Sequence, residues 1–99
     1  MKWKDRRTVH ILPLLTPEVA GRFWAYVDRR GPDDCWPWTG PTSDGYGNFH
    51  LRGNTLRASR VAWVAHNQRE LGRLCACHSC DNKICANPAH IWPGMLGEN

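Results

Sequence analysis

No segment of this chain approaches the roughly 20 consecutive apolar residues that a membrane helix needs, so no membrane partner is expected. The opening MKWKDRR is basic, but the HILPLL that follows shortly after it is too short an apolar run for a secretory signal. Internal repeats, low-complexity tracts and a helix-turn-helix pattern are all lacking. Acidic residues are scarce. Nine face thirteen Lys and Arg, for a formal charge of +4, and between residues 52 and 73 only Glu70 is acidic among Arg52, Arg57, Arg60, Arg69 and Arg73. A local excess of this kind attracts polyanions, and phosphate contacts would make binding fall steeply with salt.

With 99 residues the chain is expected to form one small domain whose apolar core is too modest to stand without a staple. Five cysteines is an odd number and four of them lie between residues 75 and 85. Without a secretory signal, metal ligation in a reducing cytoplasm fits this pattern better than disulfides.

Residues 1–15 read as a basic N-terminal arm and 16–99 as the folded domain. Thr16 can cap a helix with Pro17 in its first position and Glu18 in its first turn; Val19, Phe23, Trp24 and Val27 line one face, and the helix is expected to reach Arg29 or Arg30. Cys35 to Gly40 reads as extended. Tyr46–Arg52 and Thr55–Ala58 predict a hairpin turning at Gly53-Asn54, followed by a short helix from Ser59 to about Gln68. Leu74–Ser79 and Ile91-Trp92 read as two further short strands, and a last helix could start near Gly94 or Met95. Six tryptophans are most simply core filler where aliphatic residues are few, and His10, His50 and His66 carry no spacing signal. The expected class is α+β.

His78, Cys80, Cys85, His90 and Asn99 stand at offsets of 0, 2, 7, 12 and 21 residues. Cys80, Cys85 and His90 recur every five residues among turn formers (Asp81, Asn82, Asn87, Pro88), as zinc ligands on a loop do. A tetrahedral site needs a fourth ligand, for which Cys35 and Cys77 are the candidates. Alternation along the strand puts Cys77 and His78 on opposite faces, and Cys75 on the face of Cys77 as a small core residue. His78 and Asn99 then look like a general base and an oxygen ligand for a hard metal ion.

The run from His78 through Cys80, Cys85, Asn87-Pro88, His90-Ile91 and Gly94 to Glu98-Asn99 resembles the HNH, or His-Me finger (ββα-metal), endonucleases, close to the zinc-stapled His-Cys box homing endonucleases. Arg22-Phe23-Trp24, Cys35-Trp36-Pro37-Trp38-Thr39-Gly40, Gly45-Tyr46-Gly47 and Arg57-Ala58-Ser59-Arg60-Val61-Ala62-Trp63 resemble blocks of small phage HNH proteins, with Ser59 where the family usually has histidine. The resemblance implies a zinc-stapled ββα-metal domain in which His78 is the general base and Asn99 holds a catalytic Mg²⁺ or Mn²⁺. It implies a structural Zn²⁺ on Cys35, Cys80, Cys85 and His90, and a clamp on the scissile or flanking phosphates by Arg57 and Arg60. The activity so implied is hydrolysis of DNA phosphodiester bonds, by a monomer that nicks or a homodimer that cuts both strands, in a bacterial host's cytoplasm if the gene is a phage's. Two other functions use the same scaffold: a zinc-dependent nucleic-acid-binding module without catalysis, and a phage-encoded interaction protein acting on phage or host proteins.

Overall fold

The computed structural model describes residues 9–95. Thr16 caps the first helix, α1 (Pro17–Trp24), its side chain accepting the Val19 N–H at 3.3 Å. The helix stops five residues or more short of the expected end. Beyond Trp24 the chain exchanges helical bonds for pairing with the tryptophan-rich segment: Val27 bridges Trp38, Asp28 N–H donates to Pro37 O at 2.9 Å, and Thr39 N–H to Tyr26 O at 2.7 Å. Tyr26 and Val27 suit an extended backbone, so the tertiary pairing meets little local resistance.

Three antiparallel strands follow, β1 (Thr42–Ser43), β2 (Tyr46–Leu51) and β3 (Asn54–Arg57), in the order β1-β2-β3. Leu51 pairs with Asn54, so the hairpin turns at Arg52-Gly53, one residue earlier than the sequence suggested. Both turn residues have positive φ (49° and 77°), the requirement of a tight two-residue turn that matches strand twist. Glycine meets it without cost at one position, and Arg52 tolerates it at the other.

Helix α2 (Ala58–Asn67) starts as β3 ends and closes on Gln68 in the left-handed conformation. It is the centre of the molecule. Every residue from Ala58 to Val64 is buried, with Val61, Ala62 and Val64 fully so, because the helix packs against both sheets. Phe23, Trp38 and Phe49 add an aromatic cluster, ring centroids 5.2 Å apart from Phe23 to each of the others. Of the tryptophans among the described residues, Trp38 and Trp63 are buried, Trp24 and Trp36 are partly buried and only Trp92 is exposed.

The second sheet pairs β4 (Cys75–His78) with β5 (Ile91–Gly94) antiparallel, His78 opposite Ile91, around a long loop. The last helix expected after Gly94 lies outside the described residues, as does residues 1–8 of the expected arm. Residues 9–15 are no arm. Ile11 is fully buried, Leu12–Leu14 form a 3₁₀ turn, and the Glu70 carboxylate accepts the N–H groups of Ile11 (3.0 Å) and Leu12 (2.7 Å). The single acid in the arginine-rich stretch is thus a cap for a distant segment. Among the described residues no helix is long and apolar enough to cross a membrane.

Replacing Glu70 by Ala strands two partly buried N–H donors and loosens Ile11, and is expected to lower the unfolding free energy by about 1–3 kcal/mol in a urea titration. An unchanged midpoint would show that residues 9–15 contribute nothing to the fold.

Candidate metal centre and histidine recess

The segment 36–38 runs antiparallel to 84–86. Trp38 N–H donates to Ile84 O at 3.0 Å, Ala86 N–H to Trp36 O at 2.8 Å, and Pro37 faces Cys85. Cys35, one residue before this contact, therefore lies beside the β4–β5 loop. Asn87, almost fully buried, fixes the approach: its Nδ2 donates to Pro32 O (3.0 Å) and Asp34 O (2.7 Å), while its Oδ1 accepts Ala89 N–H at 2.9 Å and starts the 3₁₀ turn Pro88–His90. In the sequence Asn87 reads only as a turn former. Nothing local signals that its other side grips a loop 53 residues upstream.

Cys35, Cys80, Cys85 and His90 offer ligand atoms that all lie within 4.8 Å of one another. His90 Nδ1 is 3.7 Å from Cys35 Sγ and 3.6 Å from Cys85 Sγ. Zinc bonds of about 2.3 Å to sulfur and about 2.1 Å to nitrogen set the edges of a tetrahedron at about 3.5–3.8 Å. The residues fit, and this Cys₃His cluster could hold a metal ion such as zinc. All five cysteines are reduced thiols. Burial pushes the Cys85 thiol up to about 11 when no cation is near, and a bound dication reverses that balance by holding the thiolate. Asn87 N–H points to Cys85 Sγ at 3.5 Å, a donor suited to a metal-bound sulfur.

Of the two candidates for fourth ligand, the fold brings in Cys35 and leaves Cys77 out. Cys77 is buried on the opposite face of β4 from His78, and its Sγ abuts Gly94 so closely that a Cβ there would come within 2.7 Å. Cys75, on the same face, is partly buried.

His78, at the end of β4, stands half-buried in an open recess of about 220 Å³ that Tyr46, Asp81 and Lys83 also line. Its Nε2 is 3.0 Å from the carbonyl of Cys85. A carbonyl only accepts, so Nε2 carries the hydrogen and the neutral ring keeps its lone pair on Nδ1. Desolvation by burial lowers the His78 pKa below its ordinary value, the Cys85 carbonyl opposes this, and His90 lowers it further. The result is an imidazole that is neutral near pH 7.

The arginines separate. Arg60 is 7% exposed, and its guanidinium donates to the carbonyls of Leu74 (2.6 Å) and Gly72. That corrects the expectation of a phosphate clamp at Arg60: the side chain ties the turn before β4 to α2. Arg57 instead lies over the Tyr46 ring, 4.4 Å from its centroid, beside the recess. Arg69 sits against Trp63. The arginine-rich stretch is therefore not one continuous patch. Asn99 lies outside the described residues. Lys83 and Tyr46, which also border the recess, carried no signal in the sequence as functional residues, since their meeting depends on the loop and the hairpin being brought together.

Cys35→Ser is expected to lose bound metal and cooperative folding, whereas Cys77→Ala keeps about one metal ion per chain, as measured by elemental analysis and thermal unfolding. Equal metal loss in both variants would show that the cluster is not the binding site.

No described protein family matches the chain, and no solved structure does. Over 66 residues it is 36% identical to Protein 2.8 of Escherichia phage T7, a match that takes in 66% of this chain and 45% of that protein. The chain thus spans less than half the length of this phage relative.

Proposed function

We propose that the chain is a metal-dependent DNA endonuclease of the ββα-metal (His-Me finger) type, stapled by zinc on Cys35, Cys80, Cys85 and His90. The observation that carries this reading is His78, set in an open recess with Nε2 bound to the carbonyl of a residue whose thiol belongs to the Cys₃His cluster. Both strands flanking that cluster, β4 and β5, pair as the ββ half of such a unit would.

In this reading His78 Nδ1 accepts a proton from the water that attacks phosphorus, a role suited to an imidazole that burial keeps neutral. The Cys85 carbonyl fixes the tautomer and the ring's direction. Arg57 binds the phosphate whose bond is broken or its neighbour, through a guanidinium fork suited to phosphate oxygens. Asn99 would hold Mg²⁺ or Mn²⁺, which would supply charge stabilisation at the phosphoryl group. The T7 relative supports a phage setting. The proposal takes the host cytoplasm as the place of action and DNA as the partner; a monomer would nick and a homodimer would cut both strands.

Relaxation of supercoiled plasmid with Mg²⁺ or Mn²⁺ tests the proposal. His78→Ala should retain bound zinc and fold but slow cleavage by about 10²–10⁴. Cleavage at the parent rate by this variant overturns the assignment. Salt-sensitive DNA binding with no product under any divalent ion identifies a zinc-dependent binding module instead, and no DNA affinity at low salt identifies an interaction protein.

A further inference from the structure

Two cations from distant parts of the chain converge on one aromatic ring at the edge of the His78 recess. Arg57, at the end of β3, lies 4.4 Å from the centroid of Tyr46, and Lys83 Nζ, on the loop between Cys80 and Cys85, lies 5.0 Å from it. The Tyr46 ring attracts both, yet unlike a carboxylate it leaves their charge unneutralised.

Neither cation has a carboxylate partner among the described residues. Arg57 Nη1 donates only to neutral acceptors, Asn48 Oδ1 at 3.2 Å and Ser43 O and Oγ at 3.4 Å. Its Nε and Nη2 make no bond among the described residues, so the side of the fork that can grip two oxygens at once is open. Asp81, the acid on the recess wall, is exposed and pairs with neither.

We propose that Lys83 and Arg57, held on Tyr46, form a subsite for two neighbouring backbone phosphates of a DNA strand, one to each cation, adjoining the His78 recess. Lys83 arrives there only when the loop between Cys80 and Cys85 is folded, so metal occupancy governs substrate grip as well as the direction of His78. The subsite deepens the nuclease reading and rests on it for its ligand, but it is tested by binding alone.

The measurement is equilibrium binding of a short fluorescein-labelled DNA duplex to the zinc-loaded protein across a salt series without Mg²⁺. Neutralising one phosphate contributes a slope of about 0.9 in log K against log salt. Lys83→Met and Arg57→Met should each reduce the slope by about that much with unchanged zinc content, and Lys83→Arg should restore it. Tyr46→Leu keeps every charge but should weaken binding several-fold. Arg52→Met, at the far end of β2 about 20 Å away, should leave the slope in place. A wild-type slope in Lys83→Met, or an equal fall in Arg52→Met, overturns the subsite. Should Lys83→Met lose its zinc, acetylation mapping of the unaltered protein decides: Lys83, the only lysine among the described residues, should be protected by duplex, and full reactivity overturns the proposal. The outcomes separate from those of catalysis. A protein that never cuts but shows these slopes keeps the subsite and loses the nuclease reading; one that cuts with unmoved slopes does the reverse.

Discussion

The antiparallel approach of residues 36–38 to residues 84–86 is the constraint on which the rest of the molecule depends. It places Cys35 beside a loop some fifty residues away and joins the aromatic cluster around Phe23 and Trp38 to the second sheet. Closing so long a loop costs chain entropy, and a handful of backbone bonds offsets little of that. A metal ion on Cys35, Cys80, Cys85 and His90 would supply the remainder, since ligand binding in small metal-dependent domains is largely folding free energy. Asn87 is the organic part of the same fastening, spanning from the 3₁₀ turn to Pro32 and Asp34.

Cys85 links structure to chemistry through two different atoms. Its sulfur belongs to the Cys₃His cluster and its carbonyl takes the Nε2–H of His78. Whatever sets the conformation of Cys85 therefore sets the tautomer and orientation of the imidazole. Burial and the neighbouring His90 act in the same direction on its charge, toward the neutral form. A histidine held in this way keeps a lone pair on Nδ1 that can accept a proton.

Positive charge among the described residues has several distinct uses. Arg60 is spent inside, where the carbonyls of Leu74 and Gly72 accept from its Nη1 and Nη2 and offset part of the cost of burying the guanidinium. Arg29 and Arg69 lie on tryptophan faces, Arg29 against both Trp24 and Trp36. Arg57 and Lys83 lie against the Tyr46 ring, which borders the His78 recess. The net charge of +4 is thus a poor guide to any single surface.

Local chemistry fixed much of this in advance. The Thr16-Pro17 helix start, the hairpin, the helix after it and the two strands around the Cys/His loop all follow from short-range signals, as do Cys80, Cys85 and His90, whose spacing by itself brings them onto one loop. The opposite faces of Cys77 and His78 follow from strand alternation. Only the tertiary structure decided the rest, because each such case turns on a partner remote in sequence. α1 ends at Trp24 because Val27 pairs with Trp38; Ile11 is buried because Glu70 caps its segment; Arg60 faces inward because α2 is covered on both sides. The choice of Cys35 over Cys77 belongs to the same group, since a sequence records which residues can bind a metal but not which strand will lie beside the loop that needs one more.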